Sequence, residues 1–468
     1  MTTEHYPNLV VGGGEAGKYL AWTLAKLGQK TVVIERAMIG GSCPNIACLP
    51  SKNIIYSAKA VSLAGRAAEF GISTGPVKVD MAGVFARKRK MVEALIQMNF
   101  GRYQASGAEL VMGEACFTAP KTVQVALNAG GTRLIRGDRV FLNVGTHASI
   151  PDVPGLAEAK PMTHIEALNL ERLPGHLVIL GGGYVGLEFA QALRRFGSRV
   201  TIVQRGNQLL GREDADVAEA LWQLMEDEGI EVLSKTDVLK VAGRSGGNVQ
   251  LELRPETGTK TIEATDILAA TGRTPNTRRL ELDKAGVELD ARGYIRVNEK
   301  LQTTAPEVWA MGECAGSPQF THVAFDDFRV VRDNLLGGTR STTGRIIPFC
   351  LFTDPELARV GMNESEAKAK NVPYRLARMP VAGVLRTYTV SEPRGFMKAL
   401  IADNDLILGF TAFGVEASEL MAAVQTAMLG AMPYTVLRDA IFTHPTMSEG
   451  LGALFTNVAP RAKVASDR

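Results

Sequence analysis

An α/β fold with two Rossmann-like βαβ units and a C-terminal α+β domain is predicted by three observations. An apolar strand, a glycine-rich turn, a helix-like stretch and a second strand occur in that order over residues 8–34 and again over 177–203. Both turns read G-x-G-x-x-G, Gly12-Gly-Gly-Glu-Ala-Gly17 and Gly181-Gly-Gly-Tyr-Val-Gly186. From Pro348 the pattern changes to strand-like runs at 397–401 and 406–413, then a helix over 417–429.

The elements follow in chain order. In each βαβ unit the first glycine permits the tight turn, the second admits a pyrophosphate close to the backbone, and the third lets helix and strand pack. The helix then points its unpaired N–H groups at the phosphates. One such turn alone is also compatible with plain packing; two, each between apolar strands, predict two dinucleotide sites. Glu35 closes the second strand of the first unit, where an acid accepts hydrogen bonds from ribose hydroxyls. Gln204, followed by Arg205, holds the same place in the second unit, and an arginine there favours a 2′-phosphate. The first site therefore suits FAD and the second NADPH, with NADH possible. Between the units the sequence predicts a helical stretch over 61–103 and strands from 110 to 144. Further strands are expected near 251 and 267.

The chain has 468 residues, enough for about three domains of ~150 each. Apolar residues make up 46 % and the net charge is only +3, so large cores are expected and a nucleic-acid partner is not. The basic run Arg87–Lys90 reads as a solvated helix face. No window of ~18 apolar residues predicts a membrane span, and the polar opening Met1–Pro7 does not read as a signal peptide. A cytoplasmic protein is the expectation. Of five cysteines only Cys43 and Cys48 are close; Cys116, Cys314 and Cys350 read as buried free thiols. No metal site is expected.

Cys43 and Cys48 are spaced C-x4-C, within reach of one another across a helical turn. Taken alone, the pair reads mostly as metal ligands or a chance spacing, and less often as a reversible disulfide. Directly after a βαβ unit of the FAD type, a redox pair is the better reading. A helix is expected over 51–60, with Cys48 near its N-terminus, where the dipole lowers a thiol pKa.

The segment Gly41-Ser-Cys-Pro-Asn-Ile-Ala-Cys-Leu-Pro-Ser-Lys52 resembles the active-site signature of the class I disulfide reductases, which include dihydrolipoamide dehydrogenase, glutathione reductase and mercuric reductase. The resemblance extends along the whole chain. Ala270–Asn276 resembles the strand returning from the NAD(P) domain, Thr304–Glu313 the second FAD segment, and His444–Glu449 the C-terminal His–Glu motif.

The resemblance implies an FAD-binding domain over 1–150 and 276–345, an NAD(P)-binding domain over 151–275 and a dimerisation domain over 346–468. It implies Cys48 as the thiol beside the flavin and Cys43 as the interchange thiol that meets substrate. Lys52 and Glu188 are implied as a pair near the flavin, and Tyr184 as a gate that moves when NADPH binds. Gly12, Gly14, Gly17, Glu35, Gly41, Ser42, Lys52, Gly145 and Glu313 are expected around FAD. Gly181, Gly183, Tyr184, Gly186, Gln204, Arg205 and Gly272 are expected around NADPH. His444, oriented by Glu449, is implied as acid/base for the partner subunit's thiols, so a homodimer is expected; an imidazole titrating near neutrality suits thiol–disulfide exchange. Ala47 replaces the family's usual glycine, Pro44 stiffens the loop, and Glu313 replaces an aspartate.

Phe442 stands where dihydrolipoamide dehydrogenases tend to carry a further His, and Trp22 where glutathione reductases tend to place an arginine. The stretches 352–361 and 393–398 are similar to mercuric reductases, but no cysteine follows Glu449 and no N-terminal metal-binding domain is read. Residues 319–333 resemble a bacterial group that answers reactive chlorine species and reduces Cu(II) or hypothiocyanous acid. The expected activity passes electrons from NADPH through FAD to Cys43–Cys48 and on to a small disulfide, an oxidised sulfur species or a soft metal ion. The alternatives are a dihydrolipoamide dehydrogenase-type subunit of a multienzyme complex and a mercuric or copper(II) reductase.

Overall fold

The structure, a computed structural model, describes residues 2–461; positions 1 and 462–468 of the expected first and last domains lie outside it. Strand β1 (Thr3–Val11), helix α1 (Glu15–Lys26) and β2 (Thr31–Glu35) form the first βαβ unit. The cysteine segment folds into α2 (Ser42–Ile46) and α3 (Cys48–Gly65). α4 (Met81–Ser106) leads into β3 (Glu109–Ala119), β4 (Thr122–Leu127) and β5 (Thr132–Leu142). β3, β2, β1 and β5 pair in parallel in that order, and β4 joins β3 to β5 antiparallel. Side chains alternate along β1 as a strand dictates. Leu9 and Val11 face one core, while Val10 packs with Leu20 and Leu24 of α1 in another.

Two expectations fail in this region. The helical stretch expected over 61–103 is interrupted by a non-helical segment at 71–80, where Gly71 takes φ +72° and Pro76 lacks the N–H a helix interior needs. The Arg87–Lys90 run is not uniformly solvated. Lys88 is buried, with Nζ donating to Asn169 Oδ1 at 2.9 Å and lying over the Phe85 ring.

After the short β6 (Thr146–Ala148) and α5 (His164–Ala167), the second unit runs β7 (His176–Leu180), α6 (Tyr184–Phe196) and β8 (Arg199–Val203). α7 (Ala215–Asp227) leads to β9 (Glu231–Leu233). β10 (Asp237–Gly243), β11 (Val249–Arg254) and β12 (Lys260–Ala264) make an antiparallel meander, and β13 (Asp266–Ala269) completes a parallel sheet of order β13–β7–β8–β9. β14 (Arg273–Pro275) pairs with β6, and β15 (Val308–Ala310) returns to the first sheet beside β5. α8 (Thr321–Leu335) packs on α1.

The last part of the chain is a five-stranded antiparallel sheet: β16 (Pro348–Leu351), β17 (Glu356–Gly361), β18 (Arg375–Pro380), β19 (Phe396–Ile401) and β20 (Ile407–Gly414), in the order β16–β17–β20–β19–β18. The helix Ala417–Leu429 covers it, with the bounds expected from sequence. Lys398 of β19 is fully buried and reaches Asp214 and Asp216 at 2.7 Å each and Glu364 at 3.2 Å. A lysine with no exposure is tolerated because three carboxylates replace its water. The cluster fastens the β8–α7 loop to the C-terminal sheet.

Candidate active site and dinucleotide sites

Both glycine turns open a helix without a side-chain cap: Gly14 precedes α1, and Gly183 precedes α6. Except for Gly17 N, which Asn143 takes, the first-turn amides of both helices are left for an external acceptor. Gly12 and Gly181 take φ +96° and +107°, and a Cβ on either would strike a carbonyl oxygen at 2.4 or 2.5 Å. Gly17 and Gly186 pack their helices against the turns, and nothing lies within 4 Å of a Cβ built on Gly183.

The two units use their strand-end residues alike. Glu35 Oε2 accepts from Gly13 N at 2.8 Å, and Gln204 Oε1 accepts from Gly182 N at 3.0 Å. Glu35 Oε1 also accepts from Ala37 N and Met38 N. The charge is what differs: an anion faces the first turn and a neutral amide the second, with Arg205 exposed beside it. A 2′-phosphate is repelled at the first site and not at the second.

The cysteine segment lies over the first turn. Gly41 has φ +79°, and a Cβ there would meet Gly14 Cα at 2.6 Å, so the chain passes this point only as glycine. Ser42 then starts α2, which carries Cys43. α3 begins at Cys48 itself and not at residue 51, so Cys48 is the first helical residue. The other three cysteines are less uniform than expected: Cys314 is buried, while Cys116 and Cys350 are half-buried.

Cys43 and Cys48 differ electrostatically. The Cys48 thiol is drawn down to about 6, first by Cys43 beside it acting as a donor, then by Thr321 and the charge of Lys52, against the opposing effect of burial. Cys43, giving up that proton last, is pushed well above the ordinary thiol range. Cys48 Sγ lies 3.1 Å from Thr321 Oγ1 at the start of α8. One thiolate and one thiol are therefore held side by side at neutral pH. Thr321→Val is expected to raise the Cys48 midpoint by about one pH unit (~1.4 kcal/mol). A thiolate-absorbance pH titration of the reduced protein checks this, and an unmoved midpoint would contradict it.

Lys52, one turn along α3, donates to both carboxylate oxygens of Glu188 at 2.9 and 2.8 Å. Glu188 is 6 % exposed and also accepts from Phe352 N at 3.0 Å. Lys52 Nζ lies over the Phe352 ring at 4.8 Å. Tyr184, at the start of α6, stands edge-on to Phe320 and Phe349, with ring centroids 6.3 and 6.2 Å away. Glu313 bonds Thr146 Oγ1 and pairs with Arg273 at 3.2 Å, drawing the segment after β15 to Gly145 and Gly272. His444 is exposed, and its Nδ1 bonds Glu449 Oε2 at 2.8 Å, leaving Nε2 free.

Two further residues join the site. Asn143, 7 % exposed, accepts from Gly17 N at 2.9 Å and donates to Met311 O at 2.8 Å. It ties the glycine turn to the segment bearing Glu313. A polar residue ending the apolar run Val140–Leu142 was its only sequence signal. Thr321 lies within the stretch 319–333, but nothing in the sequence pairs it with Cys48.

Residues 6–327 match the family model for pyridine nucleotide-disulphide oxidoreductases, and 347–454 match the dimerisation domain of the same family. The chain belongs to this family. It is 36 % identical to the probable pyridine nucleotide-disulfide oxidoreductase RclA of Escherichia coli, over 97 % of this chain and 99 % of that protein. It is 34 % identical to mercuric reductase of Acidithiobacillus ferrooxidans, over 94 % of this chain and 80 % of the relative. A solved structure described as the Cu(II) complex of the HOCl-induced flavoprotein disulfide reductase RclA from E. coli superposes with a TM-score of 0.88 at 34 % identity, over 97 % of this chain and 99 % of that one.

The protein is thus a flavoenzyme of the pyridine nucleotide-disulphide oxidoreductase family, using FAD and a nicotinamide dinucleotide. Its residues fit both groups: two uncapped helix starts, the carboxylate at Glu35 and the open backbone at Gly183. No helix among the described residues is long and apolar enough to cross a membrane.

Proposed function

We propose that this enzyme passes electrons from NADPH by way of FAD to Cys43 and Cys48, whose dithiol reduces an oxidised sulfur compound or a thiophilic metal ion such as Cu(II). The observation that carries this reading is the unequal setting of the two thiols: Cys48 opens α3 with Thr321 Oγ1 at 3.1 Å and Lys52 one turn on, which favours its thiolate, while Cys43 lies in the preceding helix and keeps its proton. FAD, when bound, supplies the two-electron link between nicotinamide and disulfide. Lys52 and Glu188, paired through both carboxylate oxygens, would hold the flavin from one side, and Tyr184, edge-on to Phe320 and Phe349, would cover the nicotinamide. Cys43 meets the acceptor. In a homodimer the partner subunit's His444, with Nδ1 held by Glu449, receives and returns the Cys43 proton through Nε2. Residues 1–150 and 276–345 carry FAD, 151–275 carry the nicotinamide dinucleotide, and 346–468 form the dimer.

Two features support a small, soft acceptor over glutathione disulfide or lipoamide. Trp22 is packed into the core at 6 % exposure, where it presents no cation to a peptide carboxylate. Phe442 supplies no second imidazole near His444. The relative with a Cu(II) complex adds copper to the compounds to test. Steady-state NADPH oxidation against hypothiocyanite, Cu(II), Hg(II), oxidised glutathione and lipoamide is expected to give kcat/KM at least about 100-fold higher for one of the first three. Saturable turnover favouring glutathione disulfide or lipoamide would overturn the proposal.

The donor preference rests on Arg205 beside the neutral Gln204. Arg205→Glu is expected to lower the NADPH/NADH ratio of kcat/KM by about tenfold or more. An unchanged ratio would remove Arg205 from the site.

A further inference from the structure

The segment between β8 and α7 holds one member of a buried ion pair that none of the roles above uses. Glu213 in that segment and Arg359 of β17 are 6 % and 5 % exposed, and Arg359 Nε lies 3.1 Å from Glu213 Oε2. The two atoms are close but not aligned as a hydrogen bond, and neither has another partner. A buried pair left in that state is a poor stabiliser, so stability alone does not account for it. The rest of the guanidinium is held, with Nη1 and Nη2 at 3.2 and 3.3 Å from the Glu366 carboxylate on the short helix Glu364–Ala369.

Both members of the pair lead to Tyr184. The Arg359 guanidinium lies over the Phe349 ring, 4.5 Å from its centroid. Phe349 in turn stands edge-on to Tyr184 at 6.2 Å and stacks on Phe320 at 5.9 Å. Arg359 thus holds the ring that backs the tyrosine. Glu213 reaches the same residue along the backbone. Its N–H donates to Leu210 O, and Leu210 N donates to Gly182 O at 3.0 Å, in the second glycine turn two residues before Tyr184. After burial, the charge of Glu213 is the largest influence raising the Tyr184 hydroxyl above its ordinary range. Coulomb attraction falls off slowly with distance, so a pair closed by charge alone yields to a small shift of Phe349 and Tyr184 without breaking.

We propose that Glu213 and Arg359 are positioning residues for Tyr184, setting where its ring stands at the second glycine turn and so how well a nicotinamide is held for hydride transfer. This rests on Tyr184 covering the nicotinamide. The competing account is a plain structural joint, in which Glu213 only adds to the fastening that Asp214 makes with Lys398.

A double-mutant cycle between Arg359 and Tyr184 separates the two, read by anaerobic stopped-flow reduction of the FAD-loaded enzyme with saturating NADPH. Arg359→Met is expected to slow flavin reduction about tenfold. Arg359→Lys, whose ammonium can still face Glu213 and the Phe349 ring, is expected to stay within about threefold of wild type. In a Tyr184→Ala background, Arg359→Met should change the rate by less than about twofold, because the residue it acts through is gone. Arg359→Met strands Glu213 as a buried, unpaired acid; Glu213→Gln combined with Arg359→Met removes that charge and is expected to show the same slowing in a folded protein. Equal slowing by Arg359→Met with and without Tyr184, or no slowing in either form, would overturn the proposal in favour of a structural joint. Tyr184→Ala that by itself leaves both the rate and the NADPH concentration for half-maximal rate unchanged would instead overturn the role of Tyr184 on which the proposal rests.

Discussion

Cys43→Ala is expected to reduce acceptor turnover by at least about 10³-fold while leaving reduction of the bound flavin by NADPH within a few-fold of wild type. The asymmetry follows from the site. Cys43 is the sulfur that carries the proton, whereas Cys48 is tied to Thr321 and to the charge of Lys52. Removing Cys43 takes away the nucleophile that meets the acceptor without disturbing Lys52, Glu188 or either glycine turn. It also removes the largest influence that lowers the Cys48 pKa, so the Cys48 midpoint should climb from about 6 towards the ordinary thiol range. Single-turnover reduction by NADPH and steady-state acceptor turnover, measured on one preparation, check both parts. Equal losses in the two half-reactions would contradict the division of roles.

Lys52→Met is expected to be the most damaging single change to both stability and hydride transfer. It leaves the Glu188 carboxylate buried with only Phe352 N as donor. Breaking a buried pair by removing one partner costs about 3–5 kcal/mol; Lys52 retains some exposure, so the lower end is expected. Denaturant unfolding should show that loss, and stopped-flow reduction should slow by about 10²-fold or more. Glu188→Gln, which keeps an acceptor for Phe352 N and leaves the lysine near solvent, should cost less. If Lys52→Met unfolds like wild type, the pair does not hold α3 against α6.

Much of this was legible in the sequence because local chemistry set it. The glycine turns, the strand-end residues Glu35 and Gln204 and the helix over 417–429 each follow from a short run of residues and a regular period. What was not legible came from distant parts of the chain meeting. The break at 71–80 turns on Gly71 and Pro76, which the apolar pattern on either side masked. Lys88 is buried because Asn169 and Phe85 receive it, a meeting of α4 with a segment far along the chain. Asn143 and Thr321 belong to the site for the same reason: each bonds a residue more than a hundred positions away. The role of Glu313 was read from a resemblance, and the structure adds what the longer side chain reaches, Thr146 and Arg273.

The central step is the uptake of two electrons from NADPH by Cys43 and Cys48, which would leave Cys48 as the thiolate beside the bound flavin. Anaerobic titration with NADPH, followed by visible absorption, tests this most directly. A long-wavelength band should grow to its maximum at about one equivalent per flavin and fade as the pH falls through about 6. It should be absent in Cys48→Ala. Direct bleaching of the flavin in the wild type, with no long-wavelength band at any pH, would contradict the account.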